Sequence, residues 1–144
     1  MENKLINEIK KICSEDLRLK FLYESNSVAN VKLDRETEFP LALLLFVREW
    51  NIDNSNNLMK ESGEIKLFFL NRPTRIDYDG EETQSLIDQA KELAILFVRE
   101  VNKSKVIKFS DSNIRLESIV DYDDANVCGV CLSAFVEELG YQCF

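Results

Sequence analysis

Seven consecutive apolar residues, Leu41 to Val47, follow Phe39-Pro40. An extended segment of this kind has no side it can turn to water. It suits a strand covered on both faces, and Pro40 is tolerated there only as the first residue, because proline gives nothing to a strand ladder. We therefore read Leu41 to Val47 as a central strand of a sheet. At seven residues the run is also too short for a membrane span, which takes about 20.

The elements around this strand follow from periodicity. Leu5, Ile6, Ile9, Ile12 and Cys13 recur at helical spacing, predicting an amphipathic helix over about residues 2 to 13. Leu17 to Tyr23 reads as a half-buried strand, and Val28, Val31 and Leu33 as a short edge strand. Residues 51 to 63 are rich in Asn, Asp, Ser and Gly and carry little to bury, which predicts a long mobile loop between strands. Ile65 to Leu70 forms the next strand, closed by Asn71-Arg72-Pro73. The clearest element is a helix from about Glu82 to Val101, where Leu86, Ile87, Ala90, Leu93, Ala94, Phe97, Val98 and Val101 keep the three-and-four spacing. Glu81 and Glu82 at its start complement the helix dipole. Strands follow over Val106 to Phe109, Ile114 to Val120 and Val127 to about Glu138. The order predicts a single α+β domain over residues 1–144. Its sheet is mostly antiparallel, with the N-terminal helix and the long central helix packed on one side.

Charge and composition narrow the chemistry. The chain has a net charge of −8 and no histidine. Ser-His-Asp and Cys-His arrangements are therefore excluded, along with the commonest general base and the usual zinc ligand. The four glycines, at 63, 80, 129 and 140, compose no phosphate-cradling loop. Residues 1 to 72 hold 11 basic and 12 acidic side chains, whereas residues 73 to 144 hold 7 and 14. The acidic surplus thus belongs to the second half. It disfavours nucleic-acid binding, which draws its affinity from Lys and Arg on phosphates. The N-terminal residues lack the continuous apolar core of a signal peptide, so a cytosolic site of synthesis is expected.

Cys128-Gly-Val-Cys131 spells a CxxC. On a strand, positions three apart face opposite ways, so the sulfurs diverge and a structural role is expected, with no metal. Asp77-Tyr78-Asp79-Gly80-Glu81-Glu82 and Asp121-Tyr122-Asp123-Asp124 are acidic clusters with the wrong spacing for a calcium loop. Carboxylates paired as a glycosidase acid and base cannot be picked out of 26 acidic groups. No catalytic residue and no cofactor is assigned, and an enzyme is not expected.

Phe39-Pro40 with its Leu-rich strand, Leu70-Asn71-Arg72-Pro73, the helix with Gln89-Ala90 and Ala94, and Asp121-Tyr122-Asp123-Asp124-Ala125-Asn126-Val127-Cys128-Gly129-Val130 occur in a particular order. From about residue 36 onward this order resembles the tail-terminator and head-to-tail joining (neck) proteins of Bacteroides-type phages and prophages. The resemblance implies a structural virion protein, made in the host bacterial cytoplasm and placed at the head–tail junction. It would form a ring with copies of itself, usually six, that caps the tail tube around the DNA channel and meets tail-tube and head-completion proteins. Under this reading, Asp77, Asp79, Glu81, Glu82, Asp121, Asp123 and Asp124 are candidates for a channel lining that DNA passes without adhering, or for a partner-facing patch. Asn51, Asp53, Asn54, Ser55, Asn56 and Asn57 are candidates for subunit contact. A second reading uses the same acidic half: a small immunity or inhibitor protein that presents carboxylates to a basic toxin or nuclease.

Overall fold

The structure, a computed structural model, describes residues 3–35, 38–55, 59–73, 80–120 and 127–139. Helix α1 (Lys4–Lys11) starts at Asn3, whose side-chain oxygen accepts a hydrogen bond from the Ile6 amide at 3.0 Å. This satisfies one of the helix's orphan donors, and Lys10 and Lys11 complement the dipole at the other end. One wider π turn, Ile12–Asp16, carries the chain on to strand β1 (Lys20–Glu24).

Residues read as an edge strand fold instead as helix α2 (Asn26–Arg35). The spacing of Val28, Val31 and Leu33 gives no single helical face; among the described side chains of α2, Ala29 and Leu33, four apart, are fully buried. Strand β2 (Leu41–Leu45) follows and runs parallel to β1, so α2 is the crossover of a βαβ unit. Strands β3 (Trp50–Asp53) and β4 (Lys60–Asn71) come next, then helix α3 (Gly80–Lys103), then β5 (Ile107–Phe109), β6 (Arg115–Ile119) and β7 (Cys128–Glu138). Strand β4 starts at Lys60, before the Ile65 read from the sequence, whereas the helix and strand boundaries from Gly80 onward lie close to those expected. The mobile loop expected over residues 51 to 63 is a correction: β3 and the start of β4 pair antiparallel as a hairpin, Trp50 opposite Gly63 and Asp53 opposite Lys60.

All seven strands belong to one sheet, ordered β1-β2-β4-β7-β5, with β3 also on β4 and β6 also on β7. The registers simplify this. Strand β4 gives Leu67 to Leu70 to β2 and Lys60 to Gly63 to β3, so β2 and β3 are successive segments of one line, broken at residues 45 to 49. Likewise β7 takes β5 at Val136 to Glu138 and β6 at Gly129 to Ser133, a second line broken at residues 110 to 114. Leu41 to Leu45 is an interior strand, as its composition requires, but the middle of the sheet is the β4–β7 pair.

Helices α1 and α3 cover one face. Leu5, Ile9 and Ile12 join Ile87, Ala90, Ala94, Phe97 and Val101 against Ala42, Leu44, Leu67, Phe69, Leu132 and Val136. Phe69 and Phe97 rings lie 6.0 Å apart, tilted by 58°. Ser104 stitches the end of α3 to this layer: its hydroxyl donates to the Glu8 carboxylate and accepts from the Val106 and Ile107 amides. On the other face α2 covers only part of the sheet, where Ala29 and Leu33 meet Leu41, Leu43, Phe68, Leu70, Val127 and Cys131.

Arg72 fastens α2 in place. Its guanidinium donates to the Leu33 carbonyl at 2.6 Å, satisfying an orphan acceptor in the last turn, and lies 4.8 Å from the centre of the Phe39 ring. Gly129 serves a different need, because a Cβ at that position would overlap the Phe69 carbonyl oxygen on the neighbouring strand.

These features set stability. Gly129→Ala should lose at least about 2 kcal/mol in urea denaturation, since backbone must move to admit the methyl group. Gly80→Ala, where nothing lies within 4 Å of the added carbon, should be neutral or gain up to about 1 kcal/mol. Arg72→Ala should cost about 1–3 kcal/mol, and Arg72→Lys should recover only part of it, because an ammonium lacks the planar fork.

Candidate functional site

Beyond α2 no other described helix covers the second sheet face, and a cleft of about 780 Å³ opens there. Its floor comes from β4 and β7, where Glu64 lies directly opposite Phe135 and Lys66 opposite Ser133. Its rim is the break between β2 and β3, which contributes Phe46, Arg48 and Glu49. Two extra residues on this line must bulge past three on β4. Gly63 makes room for the bulge, since a Cβ there would come within 2.8 Å of Val47 Cγ1.

Phe46 is held despite its exposure. Its amide donates to the Glu24 carbonyl at 3.1 Å, and its ring sits 4.6 Å from that of Tyr23. Burial pushes the Tyr23 hydroxyl above its ordinary pKa, opposed by a hydrogen bond with the Val47 backbone. Phe46 and Phe135 remain 49% and 43% exposed, and they line the cleft together with the cations Arg48 and Lys66 and the carboxylates Glu49 and Glu64. Such a surface can pair charges of both signs and bury a ring or aliphatic chain between them, the chemistry of a polypeptide contact.

The sequence candidates are placed as follows. Glu81 and Glu82 stand in the first turn of α3, where negative charge favours the helix; Glu81 is exposed and Glu82 half-buried. Asp77, Asp79, Asp121, Asp123 and Asp124 lie outside the described residues, as do Asn56 and Asn57. Asn51 and Asp53 sit in β3, and Asn51 also lines the cleft. Asn54 and Ser55 begin the turn, where the Asp53 carboxylate accepts from the Ser55 amide at 3.1 Å. Hydrogen bonds from the Ser55 hydroxyl and amide hold the Asp53 carboxyl below its usual range. The hairpin carries exposed apolar side chains, Ile52 at 62% and Met59 at 72%.

Phe46, Arg48, Lys66 and Phe135 were not singled out from sequence. A signal existed in β7, where Leu132, Ala134 and Val136 alternate with Cys131, Ser133 and Phe135; the polar Ser133 marks where the second face leaves its helical cover.

The CxxC is settled by register. Cys128 pairs with Asn71 and Cys131 with Phe68, and Cys131 belongs to the layer under α2, so the two residues face opposite sides of the sheet. Cys13, Cys128 and Cys131 are buried thiols. Among the described residues no group of three His, Cys, Asp or Glu side chains could hold a metal ion, and no helix is long and apolar enough to cross a membrane. A scan against protein-family models finds no match for this chain, and neither does a search of curated proteins.

Burial pushes the Cys13 and Cys131 thiols above their ordinary pKa of 9.0. The folded chain therefore keeps protons that the unfolded chain releases at high pH. The stability from this source is complete below about pH 9 and falls as pH rises above it. The urea midpoint should accordingly drop between pH 8 and pH 10 (test conditions), with a shallower drop in Cys13→Val. Thiol reagents should label Cys13 and Cys131 only after denaturant is added, as read by peptide mapping.

Proposed function

We propose that this chain is a structural, non-enzymatic subunit of a phage-type head–tail junction, a tail terminator or connector that joins copies of itself in a ring around the DNA channel. The observation that carries the reading is the β3–β4 hairpin. Asn51 and Asp53, which sequence reasoning assigned to subunit contact, lie in a two-stranded arm made by β3 and the start of β4, with Ile52 and Met59 open to solvent. Large apolar side chains at the end of such an arm are what an assembly contact uses, because burying them against a neighbour supplies most of the favourable free energy. The cleft beside the arm, with exposed rings and charges of both signs, adds a second surface of the same kind.

Charge supports the same reading. A subunit that lines a DNA passage gains from acidic side chains, which keep the polyanion from adhering. The surplus of acidic over basic residues lies almost wholly in residues 73 to 144, and the start of α3 presents Glu81 and Glu82 as part of it. In this role the protein meets tail-tube and head-completion proteins, sits in the virion, and needs no cofactor.

Electron microscopy and mass photometry of the purified chain, together with sedimentation of phage-type particles that contain it, test the proposal. Rings, or co-sedimentation with particles, are expected. The double variant Ile52→Asp, Met59→Lys should keep the parent's circular dichroism spectrum and lose assembly. A strict monomer that is absent from particles but captures one basic nuclease tightly would overturn the reading in favour of an inhibitor.

A further inference from the structure

Strand β6 forms an edge of the sheet. Among the described residues it pairs with β7 alone, and Arg115, Leu116, Glu117 and Ser118 are all exposed. Leu116 is 40% exposed on the face that carries α1 and α3, as its partner Leu132 shows, while Arg115 and Glu117 lie opposite Ser133 and Cys131 on the other face. Neither Arg115 nor Glu117 makes a salt bridge to another described residue. Among the described residues, an edge like this presents unpaired backbone groups together with two charges of opposite sign that have no salt-bridge partner.

We propose that β6 pairs antiparallel with β6 of a second copy of this chain, about a two-fold axis at Leu116. The register follows from charge. A two-fold perpendicular to a sheet places residues of the same face opposite one another, so the allowed registers differ in steps of one residue in the position of the axis. With the axis at Arg115, the two arginines meet. With the axis at Glu117, the two glutamates meet. With the axis at Leu116, Arg115 of each copy faces Glu117 of the other, twice, and the two Leu116 side chains meet on the opposite face. Like charges directly opposed are destabilising and unlike charges stabilising, so the strand selects a single self-complementary register.

The opposite edge offers a comparison. Strand β1 carries Lys20 and Glu24 symmetrically about Leu22, but its residues are half-buried and Glu24 is already bound by Lys32 of α2. Strand β6 has the same symmetry, and its charges form no salt bridge with another described residue. Pairing there joins two sheets into one continuous sheet and leaves the β3–β4 arm free. The proposal is therefore separate from the virion reading, which concerns a different surface and a different symmetry.

Sedimentation velocity over a concentration series, with charge reversal, tests the pairing. The parent for these measurements carries Ile52→Asp and Met59→Lys, which remove the ring contact, and should show a monomer–dimer equilibrium. Arg115→Glu and Glu117→Arg should each weaken it roughly tenfold or more, because two attractive pairs become two repulsive ones. The double variant carrying both reversals should dimerise again, since its charges face each other in exchanged positions. Leu116→Cys should oxidise to a dimer bridged between the two substituted positions, whereas Ser118→Cys, which faces residue 114, should not. All four side chains are exposed, so circular dichroism should match the parent throughout. A parent that stays monomeric at every concentration, a dimer indifferent to the reversals, a double variant that fails to recover, or Ser118→Cys cross-linking as readily as Leu116→Cys would each overturn the proposal.

Discussion

Ten consecutive residue pairs, Ser62 with Glu137 through Asn71 with Cys128, join β4 to β7, and both strands are buried along most of that length. Their neighbours are discontinuous: β2 and β3 share the free flank of β4, and β5 and β6 share that of β7. The uninterrupted pair therefore acts as the spine to which shorter segments attach. Its tightness is set by a backbone approach between Gly129 and Phe69 that only a residue without a Cβ permits. α3, lying over this pair through Phe97 and two alanines, closes the larger core. Where the flanking lines break, the surface departs from a plain sheet, and one break forms the rim of the cleft.

Legibility in the sequence followed burial. Helix α3 and strand β7 were readable because each pairs a buried face with a recognisable period, Ile87 to Val101 at helical spacing and Leu132 to Val136 in alternation. Helix α2 was not, since Ala29 and Leu33 are a narrow footprint and Val28 is exposed. Its existence was nonetheless implied by the seven apolar residues from Leu41, which needed cover on a face that neither predicted helix supplied. The β3–β4 hairpin escaped for the opposite reason. Asn51 and Asp53 look like loop formers, and they are in a ladder because β4 extends past them, a tertiary cause that no local pattern records.

The candidate site was legible only in outline. Sequence reasoning weighed residues by charge and by loop character, so it reached Asn51 and the hairpin but passed over Phe46 and Phe135, which look like core residues until the limit of α2 is known. Arg48 and Lys66 belong to the half of the chain that is nearly neutral, and net charge gave no reason to choose them. A cleft assembled from a strand break and an uncovered patch of sheet is a product of topology, invisible to composition.

The division of both outer lines into short pieces also bears on how the protein behaves when crowded. β1, β3, β5 and β6 are five, four, three and five residues long. Fibril-forming zippers stack flat segments of about six or seven residues, and each break here bends the line before that length is reached. At high concentration the chain thus carries, in its interrupted edges, protection against growth into amyloid.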